Sequence, residues 1–447
     1  MTATLAPVGP AASGQPWTCP FCPLLCDGFT LDASRPALVD SACPTAAAAL
    51  AHFGAAPLAA TALVDGQVVD AEQALAAAAD ILAASRQPLF AGLATDVAGM
   101  RALYRLANDC GAILDHVRGD ALMHSTRALQ DRGVFYTTLA EIRNRADLVL
   151  CLGTNPAAHY PEFFRRCAPA ADATQGREIV FLGARAATEA VGLEGCTTEE
   201  IPLAGDLFDT VALLAARLAG RRVGEVPAVP AVLEALVARM QAARYTVIVW
   251  ESASLPAHGA LIAEGIQRLV NTLNRSTRAA AFCCGGGDGG YTANQVLTWL
   301  SGLPLRSGVH ARGLVHEPLR YATDRLLADA AVDALLWVSS FGLELVPPAI
   351  ALPRVVLGHP GLGARLAQRE GKDEGQREGQ DGGQGTTVFI PVSTPGIGSA
   401  GHLFRADGGV VVPLAPIHDD PLPTVAEVAA ALCARLARRR AIAGGAQ

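Results

Sequence analysis

Residues Ala146–Pro156 read "ADLVLCLGTNP", and this stretch decides the fold. Leu148–Leu152 are apolar without a break, so both faces of the run are buried. Gly153, Thr154, Asn155 and Pro156 then stop it with turn-forming residues. A short strand buried on both faces belongs inside a parallel sheet covered by helices. The same reading extends outward. Leu139–Arg145 before it is a helix, and "REIVFLGAR" (Arg177–Arg185) after it is another strand. Upstream, Ala71–Gln87 is an alanine-rich helix and Pro88–Ala94 a buried strand. Asp96 caps the next helix, whose Val97, Met100, Leu103 and Leu106 share one face. Gly111–His116 is a strand, followed by a helix across about Ser125–Gly133.

The pattern recurs downstream, with strands at Arg244–Ser252, Asp333–Gly342 and Pro353–Gly361, a strand ending in a glycine-rich loop over Arg278–Gly290, and a helix at Gly259–Asn274. The fold class is therefore α/β. A small N-terminal, cysteine-containing, β-rich domain is expected ahead of two tandem Rossmann-like parallel-sheet domains. The expected divisions are a floppy arm (1–16), the cysteine segment (17–85), the first α/β domain (86–220) and the second (221–369). Residues 370–385 are polar, glycine-rich and have nothing to bury, which marks a disordered insertion. The remainder (386–447) alternates apolar and polar residues around glycine turns and ends in a helix of about Val425–Ala443. Its arginine run, Arg438–Arg440, suits a helix C-terminus.

Composition excludes several functions. At 447 residues, half of them apolar, the chain has room for large cores. A net charge of −7 gives no basis for binding nucleic acid or an anionic membrane. Lys372 is the sole lysine and lies in the low-complexity stretch, which rules out a Walker lysine or a lysine Schiff base in the core. The first residues have neither a basic nor an apolar region, so no signal peptide is read there. No stretch reaches the ~18 apolar residues of a membrane helix. The expectation is a soluble cytoplasmic protein, in a reducing compartment where thiols favour metals over disulfides.

Of the eleven cysteines, Cys19, Cys22, Cys26 and Cys43 have the spacing C-x2-C-x3-C-x16-C. Three thiols on a tight loop and a fourth further on are what a 4Fe–4S cluster needs. Zinc, or an empty remnant of such a site, are the alternatives. The other seven lie among apolar or helical residues and read as core fillers. Gly153 and Asn155, at the carboxyl end of a strand, make either a turn that faces a nucleotide or a plain strand-to-loop turn. The glycine run "CCGGGDGG" (Cys283–Gly290) lacks the G-x-G-x-x-G spacing of a dinucleotide site and reads as a structural loop. His116, His124 and His159 have no metal-ligand spacing and read as polar rim residues.

Taken together, the cysteine loop, the α/β pattern and G-x-N-P after a strand resemble the molybdenum/tungsten bis-pterin oxidoreductases. The closer resemblance is to the B subunit of formylmethanofuran dehydrogenase. It is carried by "CPFCPLLCDGFTL" (Cys19–Leu31), "GAILDH" (Gly111–His116), "MHSTRALQDRG" (Met123–Gly133) and "TLAEIRNRADLVLCLGTNPAAHYP" (Thr138–Pro161). "QVLTWLSGLP" (Gln295–Pro304) and "GIGSAGHLFRADGGVVVPL" (Gly396–Leu414) extend it over nearly all the chain after Trp17.

In that family a cysteine and then a histidine stand in a short loop ahead of the helix ending in Q-D-x-G. The matching positions here are Ala121 and Leu122. A methyl group cannot ligate tungsten, and an isobutyl group cannot shuttle a proton. The family's pterin-nucleotide aspartate is matched by Gly183, and its counterpart in the second unit by Gly358, before His359. The resemblance therefore implies that no catalytic residue remains, that Gly153, Asn155 and Gly183 are vestigial, and that molybdopterin or tungstopterin is not expected. Such degenerate chains look like the B subunit of the bacterial formyltransferase/hydrolase complex. That likeness implies an amidohydrolase-like A, a β-helical C and a formyltransferase D subunit as partners. It implies a non-catalytic scaffold in tetrahydromethanopterin- and methanofuran-linked oxidation of formaldehyde to formate. An active metallopterin dehydrogenase and an iron–sulfur electron carrier are the alternatives.

Overall fold

A computed structural model of the chain describes residues 14–32, 35–53, 61–169, 176–222, 231–367, 385–418 and 420–444. Leu148–Leu152 is buried throughout and lies at the centre of a five-stranded sheet. Tyr245–Glu251 pairs with it on one side and Arg177–Leu182 on the other, both parallel. Arg278–Cys284 and Cys196–Ile201 complete the two edges, again in parallel. Successive side chains alternate between two cores. Val149 and Cys151 join Phe163, Phe164 and Phe181 on one face. Leu148, Leu150 and Leu152 join helices Leu207–Leu218 and Gly259–Leu273 on the other. This is the period-two pleat of a strand buried on both faces, as the unbroken apolar run requires.

A nine-stranded sheet forms the other half of the molecule. Its parallel centre runs Ile113–Leu114, Pro88–Ala94, Ala334–Ser339, Arg354–Gly358 and Thr387–Pro391. Antiparallel hairpins close its edges, Ser307–His310 with Gly313–His316 at one and Ala62–Val64 with Gln67–Val69 at the other. The mixed α/β class with parallel sheets is thus as read from the sequence.

The tandem order is not. Pro88–Ala94 and Ile113–Leu114, which the sequence places in the first unit, pair with Ala334–Ser339 and Ser307–His310 from the second. Leu148–Leu152 pairs with Tyr245–Glu251 across the same division. Apolar runs report that a strand is buried, but not which equally apolar strand lies beside it. Two crossings between the sheets result. One carries the helix Gly119–Arg132, the other the loop Gly285–Gly289 and the helix Gly290–Ser301.

Local expectations meet mixed outcomes. Asp96 caps Val97–Cys110 by accepting from the Gly99 amide at 2.9 Å, and Leu139–Arg145 is the helix expected. The helix expected at Ser125–Gly133 begins earlier, at Gly119, so Ala121 and Leu122 stand in its first turn rather than in a loop. Asp120 in that turn suits the positive end of the helix. Gly14–Trp17 is a strand paired with Phe29–Asp32, although the composition up to residue 16 reads as a floppy arm. Only its tertiary partner reveals that pairing, and 1–13 lie outside the described residues. So do 368–384, which contain most of the expected insertion and Lys372.

The cysteine segment does not stand apart as a domain. Trp17, Phe29, Leu31 and all four motif cysteines share one core with the five-stranded sheet. The closing helix, Val425–Gly444, packs on Val97–Cys110, and its arginines pair with neighbours, Arg439 with Asp80 and Arg440 with Asp109. No described helix is long and apolar enough to cross a membrane.

Candidate functional site

From Leu148–Leu152 the five-stranded sheet grows one way to Cys196–Ile201, then returns to add Tyr245–Glu251 and Arg278–Cys284 on the other side. Its direction reverses between Leu148–Leu152 and Tyr245–Glu251. Crevices at such reversals, outside the carboxyl ends of the strands, are where open parallel sheets take ligands. Here Gly153 turns the chain out of the sheet at φ +63°, a conformation that favours glycine. Asn155 accepts from the Ala157 amide at 3.1 Å and so caps the short helix Pro156–Ala158. Its side chain is used within the turn. Across the crevice Glu251 ends its strand and is buried. Thr154 Oγ1 donates to Glu251 Oε2 at 3.1 Å, and His159 Nδ1 lies 3.0 Å from Glu251 Oε1.

The walls come from three other places. Cys22 and Pro23 of the cysteine loop, Arg118 and Ala121 of the first crossing, and Gly285–Gly287 of the second enclose a cavity of about 480 Å³ above Glu251. A second cavity, of about 470 Å³, shares Arg118, Ala121, Ser252 and Ala253 with the first and includes His124 and Arg306. Arg118 Nη2 pairs with Asp288 Oδ2 at 3.0 Å and ties the two crossings together. His116, expected at the rim, is instead fully buried beneath this pair. Its Nδ1 accepts from the Arg118 amide at 2.9 Å, so Nε2 carries the proton and donates to the Asp288 carbonyl at 3.1 Å. Burial pushes its pKa down to about 4, so the ring is neutral. The misassignment has a simple origin: a histidine beside charged residues looks exposed until two chain crossings cover it.

The positions matched to the family's cysteine and histidine diverge. Ala121 faces the cleft, whereas Leu122 is turned into the core of the nine-stranded sheet. Gly183 is brought to neither. It lies beyond Arg177–Leu182 beside a shallow depression with Arg185 and Glu200. Its φ is +76°, and a Cβ there would stand 2.5 Å from Leu203 Cδ2. An aspartate would have to displace that leucine. His359 is buried edge-on against Phe53, with ring centroids 4.8 Å apart, and burial lowers its pKa to about 4.

The four motif cysteines are buried in one core. The loop is closed by Cys19 N–H donating to the Cys26 carbonyl at 2.9 Å and Leu25 N–H to that of Cys22 at 3.1 Å. Cys43 immediately precedes the helix Pro44–Leu50. Burial pushes the Cys22 thiol up to about 12 and Cys26 to about 11, the latter moderated by Arg166. Cys19 and Cys43 are raised as well, also chiefly by burial. Four thiols from one tight loop and one helix start are the donor set of an iron–sulfur cluster. Among the described residues, no three His, Cys, Asp or Glu side chains already stand in a metal-binding arrangement. Buried and uncharged, these thiols would need to lose protons to a metal before they closed around it.

Sequence reasoning missed Glu251, although a signal was present. An acidic residue ending the buried run "YTVIVWE" is out of place unless it faces a cleft. Asp288 was missed because it reads as one more polar residue in a glycine loop.

Fold and site define a class: a mixed α/β subunit whose loop of three cysteines, with a fourth at a following helix start, overhangs a cleft between a parallel and a mixed sheet. Over 380 residues the chain is 31% identical to the B subunit of the formyltransferase/hydrolase complex Fhc of Methylorubrum extorquens, covering 84% of this chain and 97% of that protein. The crystal structure of the FhcABCD complex of Methylorubrum extorquens with methylofuran contains a chain that matches with TM-score 0.68 and 30% identity, over 85% of this chain and 99% of that one. A 157-residue stretch is 31% identical to the B subunit of the tungsten-containing formylmethanofuran dehydrogenase 2 of Methanocaldococcus jannaschii, covering 33% of this chain and 36% of that protein. No family profile matches the chain. The chain belongs to the family of formyltransferase/hydrolase complex B subunits.

Proposed function

We propose that this chain is a non-catalytic scaffold, the B subunit of a cytoplasmic formyltransferase/hydrolase complex. Its partners are an amidohydrolase-like A, a β-helical C and a formyltransferase D subunit. The complex carries formyl groups from tetrahydromethanopterin to a methanofuran-type carrier and releases formate by hydrolysis. Hydrolysis of a formyl group moves no electrons, so this subunit needs no pterin. One observation carries the reading: Ala121, at the position matched to the family's cysteine, faces the cleft with a methyl group, and Leu122 beside it packs in the core.

Cys19, Cys22, Cys26 and Cys43 hold a 4Fe–4S cluster in this proposal, with a structural role. Such a cluster would pin the cysteine loop over the cleft; the electron carrier remains the reading to exclude. The test is purification of the chain without air, with whatever accompanies it, followed by metal analysis and a visible spectrum. Three co-purifying subunits without tungsten or molybdenum are expected. Stoichiometric tungsten or molybdenum would restore the dehydrogenase. A chain stable and reducible alone, with no partners, would make it a carrier. Iron at about four per chain with a broad visible band is the expected signature of the cluster. Absence of iron would leave the thiols as a relic.

A further inference from the structure

We infer that the cleft over Glu251 binds a small organic cation, a molecule bearing a protonated amine, with Glu251 as counter-ion and His159 as the group it displaces. The inference rests on the reading that no pterin dinucleotide fills the cleft.

The partners of the Glu251 pair are unequal. The Glu251 side chain is 5% exposed, fixed at the end of a central strand and held by Thr154, whereas the His159 side chain is 66% exposed. A carboxylate taken out of water demands a compensating donor or charge, and leaving it alone is expensive. An imidazole standing largely in solvent, just past a one-turn helix, gains little by staying. The carboxylate is thus permanent and its present partner replaceable.

Within the cavity over Glu251 the other lining charges, Arg118 and Asp288, pair with each other. Glu251 therefore sets the sign of the site, which repels phosphate and carboxylate ligands. A cavity of about 480 Å³ accommodates a small molecule, and Phe21 and Tyr160 supply aromatic surface for an organic body or for the cation itself. Ser252 and Ser254 also line it, the Ser254 hydroxyl donating to the Glu251 carbonyl at 3.0 Å. The position, at the reversal point of a parallel sheet, is one at which ligands bind.

Benzylamine, benzyl alcohol and benzoate share a shape and differ in charge, so they test the assignment. Each is titrated calorimetrically into the full chain with its co-purified partners, on samples first analysed for tungsten and molybdenum. Benzylamine should bind at least tenfold tighter than benzoate. Glu251→Gln should abolish that preference, Glu251→Asp should retain part of it, and His159→Ala should leave benzylamine binding equal or tighter. Thermal melts of each variant separate loss of binding from loss of fold. Benzoate binding as well as benzylamine, an unaltered preference in a folded Glu251→Gln variant, or no amine binding at ~10 mM in the metal-free protein each overturn the inference. Tungsten or molybdenum in the sample would instead defeat the scaffold reading on which it rests.

Discussion

The two sheets each have a reversal point among their parallel strands, and the chain treats them in opposite ways. In the five-stranded sheet the crevice beyond Leu152 and Glu251 is open and acidic. In the nine-stranded sheet the reversal lies between Pro88–Ala94 and Ala334–Ser339, and the chain has filled it. Ser340 Oγ donates across it to the Ala94 carbonyl at 2.7 Å, and Thr394 Oγ1 donates to the Ser340 carbonyl at 2.6 Å. Leu25 of the cysteine loop packs there with Ala94, Phe341 and Leu403. Gly289 lies so close that a Cβ would sit 2.6 Å from the Thr95 carbonyl oxygen. Equivalent topology thus makes a cleft in one sheet and a plug in the other. The strands create the crevice; the loops decide whether it stays.

The sharpest way to break this contrast is to disturb the plug. Gly289→Val places a β-branched residue at φ +72° against the Thr95 backbone. Backbone strain and overpacking together should cost about 4 kcal/mol in denaturant unfolding. A loss under ~1 kcal/mol would show that the plug is loose and the two crevices alike. Next are the adjacent positions of the first crossing. Leu122→Ala should cost about 3 kcal/mol because it opens a core cavity. Ala121→Ser faces the cleft and should cost less than ~0.5 kcal/mol. Equal effects would mean that the helix turns differently.

Acidification sharpens the comparison further. His116 beneath the crossings and His359 beyond the plugged sheet are held neutral by burial, with pKa about 4 in the folded chain. Unfolded, each takes a proton near pH 6.5, so the unfolded chain binds more protons between these values. Stability therefore falls as pH drops from about 6.5 towards 4, by about 2 kcal/mol per histidine at pH 5. His116→Asn should remove its share of that slope, whatever its own cost at pH 7; an unchanged slope would show that the ring is already accessible. The smallest effect belongs to the open crevice. Thr154→Val removes a hydroxyl donor from Glu251 and should cost about 1 kcal/mol, because His159 still partners the carboxylate. A loss of ~3 kcal/mol or more would show that the carboxylate depends on Thr154 alone.

Much of this was legible from local pattern. Unbroken apolar runs at Pro88–Ala94, Leu148–Leu152 and Ala334–Ser339 announce buried strands because each must be covered on both faces. The cysteine spacing announces a tight turn, which the backbone makes between Cys19 and Cys26. The order of the strands was not legible, and the tandem arrangement gave way to two interleaved sheets. Nor was the divergence of Ala121 from Leu122, since a polar stretch around Gly119 and Asp120 reads as loop until it is seen as a helix start.

By itself the sequence determined the class of fold, the buried central strands and the family resemblance, because burial and period are local properties of a chain. Only the tertiary structure decided that Glu251, His159, Ala121 and Cys22 surround one cleft. They come from four separate stretches, and what joins them is the pairing of Leu148–Leu152 with Tyr245–Glu251 and the two crossings between sheets. Such contacts depend on which strand lies beside which, and no local preference of the residues encodes that choice.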